Sequence, residues 1–292
     1  MELAYNKLNM VQHKKASKIK WNKSQLIESD TYVRVLIKSL SEHFSPAERQ
    51  EIYFISKLFV DGTVETARNR FTCAEHYFNR GESLLHKIED GSVMKKMLTN
   101  IFVRSKSLYY YRTGDHAKAI ELINNALMTN AALEKQGFTF MAFDRFSQYH
   151  NLSKIYFSQN QLQKGLSLLA DVISFLMTGE PNTHIEGVDG FPHKLQDDGL
   201  SMRSSLLCLL LFETTGKLHN EKNTALFIDR SSIFFSNILN AAARYTLLSK
   251  TDHLIKEWLT IVSAFYNKNY KRFDAESLKY LEAGHSFYGD IP

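Results

Sequence analysis

Proline and glycine are scarce, 4 and 13 residues in a chain of 292, against average usage of about 5% and 7%. That shortage excludes collagen-like and low-complexity disordered classes and argues against a turn-rich β-sandwich. Cysteine is nearly absent. Cys73 and Cys208 cannot build a disulfide framework or a four-thiolate zinc site, and their apolar neighbours predict two buried thiols. Long hydrophobic runs are missing too. The most apolar stretch, Leu206 to Phe212, is far shorter than the roughly 20 residues a membrane helix needs. The opening MELAYNKLNMVQHKK lacks an apolar core of about 7–15 residues, so no secretory leader is expected. The chain reads as a soluble cytoplasmic protein that engages no membrane. Glycine-rich phosphate loops, HExxH, CxxC and GxSxG are also lacking, so the expectation is a non-enzyme without a cofactor.

What is present is 44% hydrophobic residues, with 36 Lys and Arg against 31 Asp and Glu. The length suits one large or two small domains and a sizeable core. Between Glu2 and Glu28 there is no acidic residue, whereas Lys7, Lys14, Lys15, Lys18, Lys20 and Lys23 are all basic. Residues 1–23 form a basic arm, either a solvated terminus or a lure for phosphate, anionic lipid or an acidic protein face. Any such attraction weakens with salt. Trp21 is an apolar anchor within the arm. Elsewhere the excess charge is almost nil, so nucleic acid is not the expected partner. The oligomeric state is not written in the pattern.

From Ser24 the apolar period is helical, with Leu26, Ile27, Val33, Leu36, Ile37 and Leu40 on an amphipathic face. Ser45-Pro46-Ala47-Glu48 is a capping box with proline in the first turn. It should open a helix running to about Val60. Asp61-Gly62 should break it, and a second helix should start near Thr63. Further stops fall at Asp90-Gly91, Gly114-Asp115, Gln136-Gly137, Ser158 to Asn160, and Gly216 to Asn223. A first helix over 24–43 and a last one over 270–284 are predicted to cap the ends. No alternating strand pattern occurs, so the fold class is all-α.

Short turns between helical pairs invite a search for repeats. LFVDGTVETARNRFTCA at 58–74, YYRTGDHAKAIELINNA at 110–126 and NLSKIYFSQNQLQKGLSLLADV at 151–172 align on Gly62, Gly114 and Asn160. A large residue precedes each turn by four. A small one follows by five, an apolar one by nine, and a small or β-branched one by twelve. The small residue lets two helix axes approach, and the later positions continue the same face. This pattern resembles the tetratricopeptide repeat (TPR), most closely in GDHAKAIELINNAL. The resemblance implies a right-handed α-solenoid of antiparallel helical pairs, here as a single domain over 24–292. These turns lie 52 and 46 residues apart rather than at the family period of about 34, so longer-than-standard helices or connections are expected. Similar stretched repeats occur in peptide-responsive regulators of the Rap type.

The resemblance also implies that the first helix of each pair lines a concave groove. The candidate peptide- or protein-binding residues are then Arg104, Leu108, Tyr111 and Arg112 in one pair, and His150, Asn151, Lys154 and Phe157 in the next. Ile101 joins the first of these sets, and Ile52, Ser56 and Phe59 come from a weaker pair. Arginine and lysine would draw acidic segments, the aromatics would add contact area, and Asn151 would pair with a peptide amide. Alternatively, Tyr109, Tyr110, Tyr111 and Phe157 pack between helices. Residues 178–199 form a long inserted loop. His184, Glu186, Asp189, His193, Asp197 and Asp198 in it match no ligand spacing, and no metal site is expected. Ile185 and Phe191 would tuck the loop onto the helices. Phe234, Phe235 and Tyr245 are expected in the core, with a self-association patch as the alternative. The expected function is a scaffold or adaptor that binds a protein or peptide segment of acidic and apolar character. The rivals are a peptide-responsive regulator, and an enzyme or accessory subunit using the 178–199 loop.

Overall fold

A computed structural model describes residues 35–185, 191, 197–219 and 224–282. Residues 35–43 are helical. They are followed by α1 (Pro46–Ala67), α2 (Phe71–Leu85), α3 (Val93–Thr113), α4 (His116–Glu134), α5 (Met141–Ser158) and α6 (Leu162–Thr178), then α7 (Asp197–His219), α8 (Thr224–Ala242), α9 (Lys250–Tyr266) and α10 (Tyr270–Glu282). No strand occurs among the described residues. The fold is all-α. Its described backbone falls into two compact units, one ending at residue 165 and the other starting at residue 166. The basic arm at 1–23 and most of the predicted first helix lie outside the described residues.

Helix starts follow the local chemistry. Ser45 Oγ accepts from the Glu48 amide at 3.4 Å while the Ser45 amide donates to Glu48 Oε2 at 2.8 Å, so the capping box opens α1 as expected. Gly114 ends α3 with φ 90°, and Asp115 caps α4 by accepting from the Lys118 amide at 3.0 Å. Asn160, at φ 60°, turns the chain between α5 and α6.

One expected boundary is wrong. Helix α1 runs through Asp61-Gly62 for 22 residues and ends at Ala67. The left-handed turn is made instead by Asn69, at φ 59°, a conformation asparagine tolerates better than most residues. Gly62 serves helix packing, not chain reversal. A Cβ there would stand 2.6 Å from the Phe78 ring, and one at Gly81 2.4 Å from the Phe59 ring. Each helix thus offers one glycine as a socket for the other's phenylalanine, and both rings are buried. Gly62→Ala should gain roughly 1 kcal/mol of helix propensity yet lose about 1–3 kcal/mol to overpacking. A net loss of up to about 2 kcal/mol is expected in urea unfolding, largely recovered by adding Phe78→Leu. A stabilised single variant would show that the two helices do not need this contact.

In the first unit α1 packs on α2 and α3, α2 on α3, α3 on α4, and α4 on α5. The turns Asn69, Gly114 and Asn160 stand 45 and 46 residues apart, a nearly constant period in place of the expected 52 and 46. Five residues after each turn comes Ala74, Ala119 or Gly165, and all three are buried. The fold is therefore repeat-like within this unit.

In the second unit α9 packs on α7, α8 and α10. Its core holds Trp258, Leu207, Leu210, Phe234, Phe235, Phe273 and Tyr245. Phe234, Phe235 and Tyr245 are core residues, as favoured. Phe235 lies against both Trp258 and Tyr266, with ring centroids 6.0 and 5.1 Å away. The loop after α6 is fastened at both of its described parts. Ile185 is fully buried, and Phe191 stacks on Phe175 at 5.1 Å. Asn182 Nδ2 donates to Asp171 O at 2.8 Å, while its Oδ1 accepts from the Ile185 amide at 3.1 Å.

Candidate functional site

The face shared by α3 and α5 is organised around a carboxylate. Asn100 and Arg104 lie one turn apart on α3, which puts them on one face. Both reach Asp144 on α5: Arg104 through an ion pair, Asn100 through Nδ2 at 3.3 Å to Oδ2. Asn130 of α4 adds a third donor at 2.9 Å to the same oxygen. The Asp144 side chain is only 2% exposed and that of Arg104 32%. Three donors, one of them cationic, offset the cost of burying this charge. Next to it, Arg145 pairs with Glu134 at 3.1 Å, anchoring α5 to the last turn of α4.

This arrangement redefines several candidate residues. Arg104 is the charge partner of Asp144, and its positive charge is matched within the fold. Arg112 bonds through Nη2 to Asn69 Oδ1 at 3.1 Å and Ala67 O at 3.4 Å, tying the end of α3 to the α1–α2 turn. Tyr111 is half-buried and lies over His116, with centroids 5.6 Å apart. Leu108 and Lys154 are half-buried, and His150 is buried. Asn151 is exposed, with its Nδ2 3.5 Å from Gln148 Oε1. The Phe157 ring covers Gly165, where a Cβ would stand 2.4 Å away. Phe157 therefore packs the α5–α6 seam. Ile52 and Phe59 are buried. Tyr109 donates to Glu75 Oε1 at 2.5 Å; that bond, then burial, push its hydroxyl up to about 12. It stays protonated near neutrality.

The sequence reading passed over Asp144, Asn100 and Asn130. Their partners are 14 to 44 positions away, so no local spacing announces them. The one available signal was an aspartate inside the otherwise core-like run MAFDRF.

A second buried carboxylate occupies the other unit. Asp252 accepts from Arg203 Nη2 at 2.8 Å, Tyr245 OH at 2.7 Å, Ser204 Oγ at 3.0 Å, and the Leu248 and Ser249 amides at 2.9 Å each. Arg203 also reaches Thr246 O at 2.9 Å. Both side chains of the ion pair are fully buried. Asp252 stands 16 residues before the left-handed Lys268, as Asp144 stands 16 before Asn160. Each is the aspartate of a hairpin's first helix, bonded to an arginine on an earlier helix.

Among the described residues no group of three His, Cys, Asp or Glu side chains is placed to hold a metal. His184 Nδ1 lies 2.5 Å from Asp171 Oδ2, while Asp197 and Asp198 begin α7. Glu186, Asp189 and His193 lie outside the described residues. Cys208 is buried as expected, but Cys73 is exposed, because α2 turns Phe71, Ala74 and Phe78 inward. No described helix is long and apolar enough to cross a membrane. Compared with protein-family models, curated proteins and solved structures, the chain matches none.

Proposed function

We propose that the chain is a non-enzymatic, cytoplasmic scaffold or adaptor of TPR-like, right-handed solenoid design that binds a protein or peptide segment along the face formed by α3 and α5. The observation that carries this reading is the recurrence of one hairpin design at 45 and 46 residues, each with a buried small residue five past its turn. Repeat architectures present extended surfaces from corresponding helices. In this reading Leu108, Tyr111, Arg112, Asn151 and Lys154, all at least partly exposed, form the binding face, and the buried His150 does not. With Arg104 matched by Asp144, the cationic character rests on the exposed Arg112, whose hydrogen-bond partners are neutral oxygens. The segment that fits has acidic and apolar residues together.

The test avoids Arg104, whose loss would disturb the fold. Asn151→Glu with Lys154→Glu makes the face acidic while leaving Asp144 and its donors in place. Native purification of the tagged chain and of this double variant, with mass spectrometry of stoichiometric companions, reads the outcome. A protein that co-purifies with the parent chain should be lost at least tenfold from the variant at equal helicity by circular dichroism. A companion retained undiminished would place binding elsewhere. A chain carrying only a tightly held small molecule or metal would overturn the scaffold reading.

A further inference from the structure

Helix α1 carries an apolar stripe that its own hairpin does not use. Tyr53 is 71% exposed and Val60 52%, and Phe54 and Val64 are exposed as well. At 100° per residue these four side chains share one side of α1 with Lys57 and Asp61. The stripe extends about 16 Å at 1.5 Å per residue. Single exposed hydrophobes need no explanation, but a contiguous set does.

Comparison along the repeat says what such a face is for. Counting back from the turn, Tyr53, Lys57, Val60 and Val64 occupy the places that Leu98, Phe102, Ser105 and Tyr109 take in α3. In α3 this face is covered. Leu98, Phe102 and Ser105 are buried, Phe102 meets Phe59 of α1 at 5.1 Å, and Tyr109 meets Phe71 and Phe78 of α2. In α5 the same places hold Asp144, Gln148, Asn151 and Ile155, where Asp144 receives Arg104. The α1 stripe is thus the surface by which a hairpin accepts a neighbour, left open in the first hairpin.

We infer that α1 pairs with α1 of a second copy of this chain, antiparallel about a two-fold axis near Phe59. A two-fold interface must be self-complementary, and the stripe is. Reversing α1 about Phe59 exchanges Lys57 with Asp61 and Phe54 with Val64. Each lysine then faces the partner copy's aspartate, and aromatic meets aliphatic on either side. Within one chain Lys57 and Asp61 form an exposed i,i+4 pair at 3.1 Å, in the less favourable order with the cation nearer the N-terminus. Little is lost when they exchange partners.

Sedimentation equilibrium of the full chain up to about 100 µM, enough to populate dimers with dissociation constants of tens of micromolar, should give an average mass that rises with concentration toward twice the chain mass. Lys57→Asp sets carboxylate against carboxylate across the axis, and Asp61→Lys sets ammonium against ammonium. Each variant should associate at least about tenfold more weakly. An equimolar mixture of the two should associate again, because each supplies the charge the other has exchanged. Both positions are at least partly exposed, and the mixture separates loss of pairing from loss of folding. A parent chain at monomer mass, covered instead by another segment or partner, overturns the inference. So does a mixture no tighter than either variant alone.

Discussion

Asp252→Ala should lower the unfolding free energy by about 3–5 kcal/mol, the largest single-residue loss expected in this protein. The substitution strands Arg203, fully buried, without its counter-charge. It also removes the side-chain half of the capping box of α9, in which the Ser249 amide donates to Asp252 Oδ2 at 2.9 Å. Tyr245, Ser204 and two backbone amides lose their acceptor at the same time. Urea unfolding followed by the fluorescence of Trp258, fully buried on the same helix, measures the loss. Removing both charges as Arg203→Met with Asp252→Leu should cost less, since no buried ion is then left alone; what remains is the cost of the donors still without an acceptor. A single variant within about 1 kcal/mol of the parent would mean that water reaches Arg203 and satisfies it.

The same site sets an acid limb. Burial pushes the Asp252 carboxyl up, but the Arg203 charge and the bonds from Tyr245, the Leu248 amide and Ser204 outweigh it, so the group sits below its ordinary value. Burial, followed by the Asp252 charge, raises the Tyr245 hydroxyl, which remains a donor throughout. A carboxyl more acidic in the folded chain stabilises fully above the unfolded-chain value of about 3.9. That contribution fades as pH falls through the lower folded value. Asp252→Asn should flatten stability against pH in that window and leave the slope at higher pH unchanged.

How the chain announces its fold depends on the range of the interactions. Ser45, Gly114-Asp115 and Asn160 were readable because a cap or turn is made within four residues. Gly62 misled for a physical reason. Small residues stand both five and twelve places after a turn, seven apart, which is about two helical turns. A hairpin pattern can therefore slide by seven residues and still match. Ala74 is both the twelfth residue after Gly62 and the fifth after Asn69. Only the sockets for Phe59 and Phe78 decide between these registers, and they are tertiary contacts. Cys73 was misread through its neighbours, since Ala74 beside it is buried while Cys73 lies off the inward face. The candidate groove was readable as a set of helix positions. The mutual neutralisation of Arg104 and Asp144 was not.

That neutralisation carries the second large effect. Arg104→Glu should cost about 2–3 kcal/mol, because it replaces the cationic partner of a buried carboxylate with a like charge. The figure is below that for Asp252 because one third of the Arg104 side chain meets water, which screens it. Asn151→Lys, on an exposed neighbouring position, should stay within about 0.5 kcal/mol. A double-mutant cycle of Arg104→Met and Asp144→Leu isolates the pair; a coupling of about 1–3 kcal/mol is expected, read by urea unfolding. A coupling near zero would free Arg104 to act as a ligand-facing cation and would restore it to the binding face. A large coupling makes Asp144 the post that fixes α3 against α5. Any segment bound along those helices then meets a surface whose shape is set from within the fold.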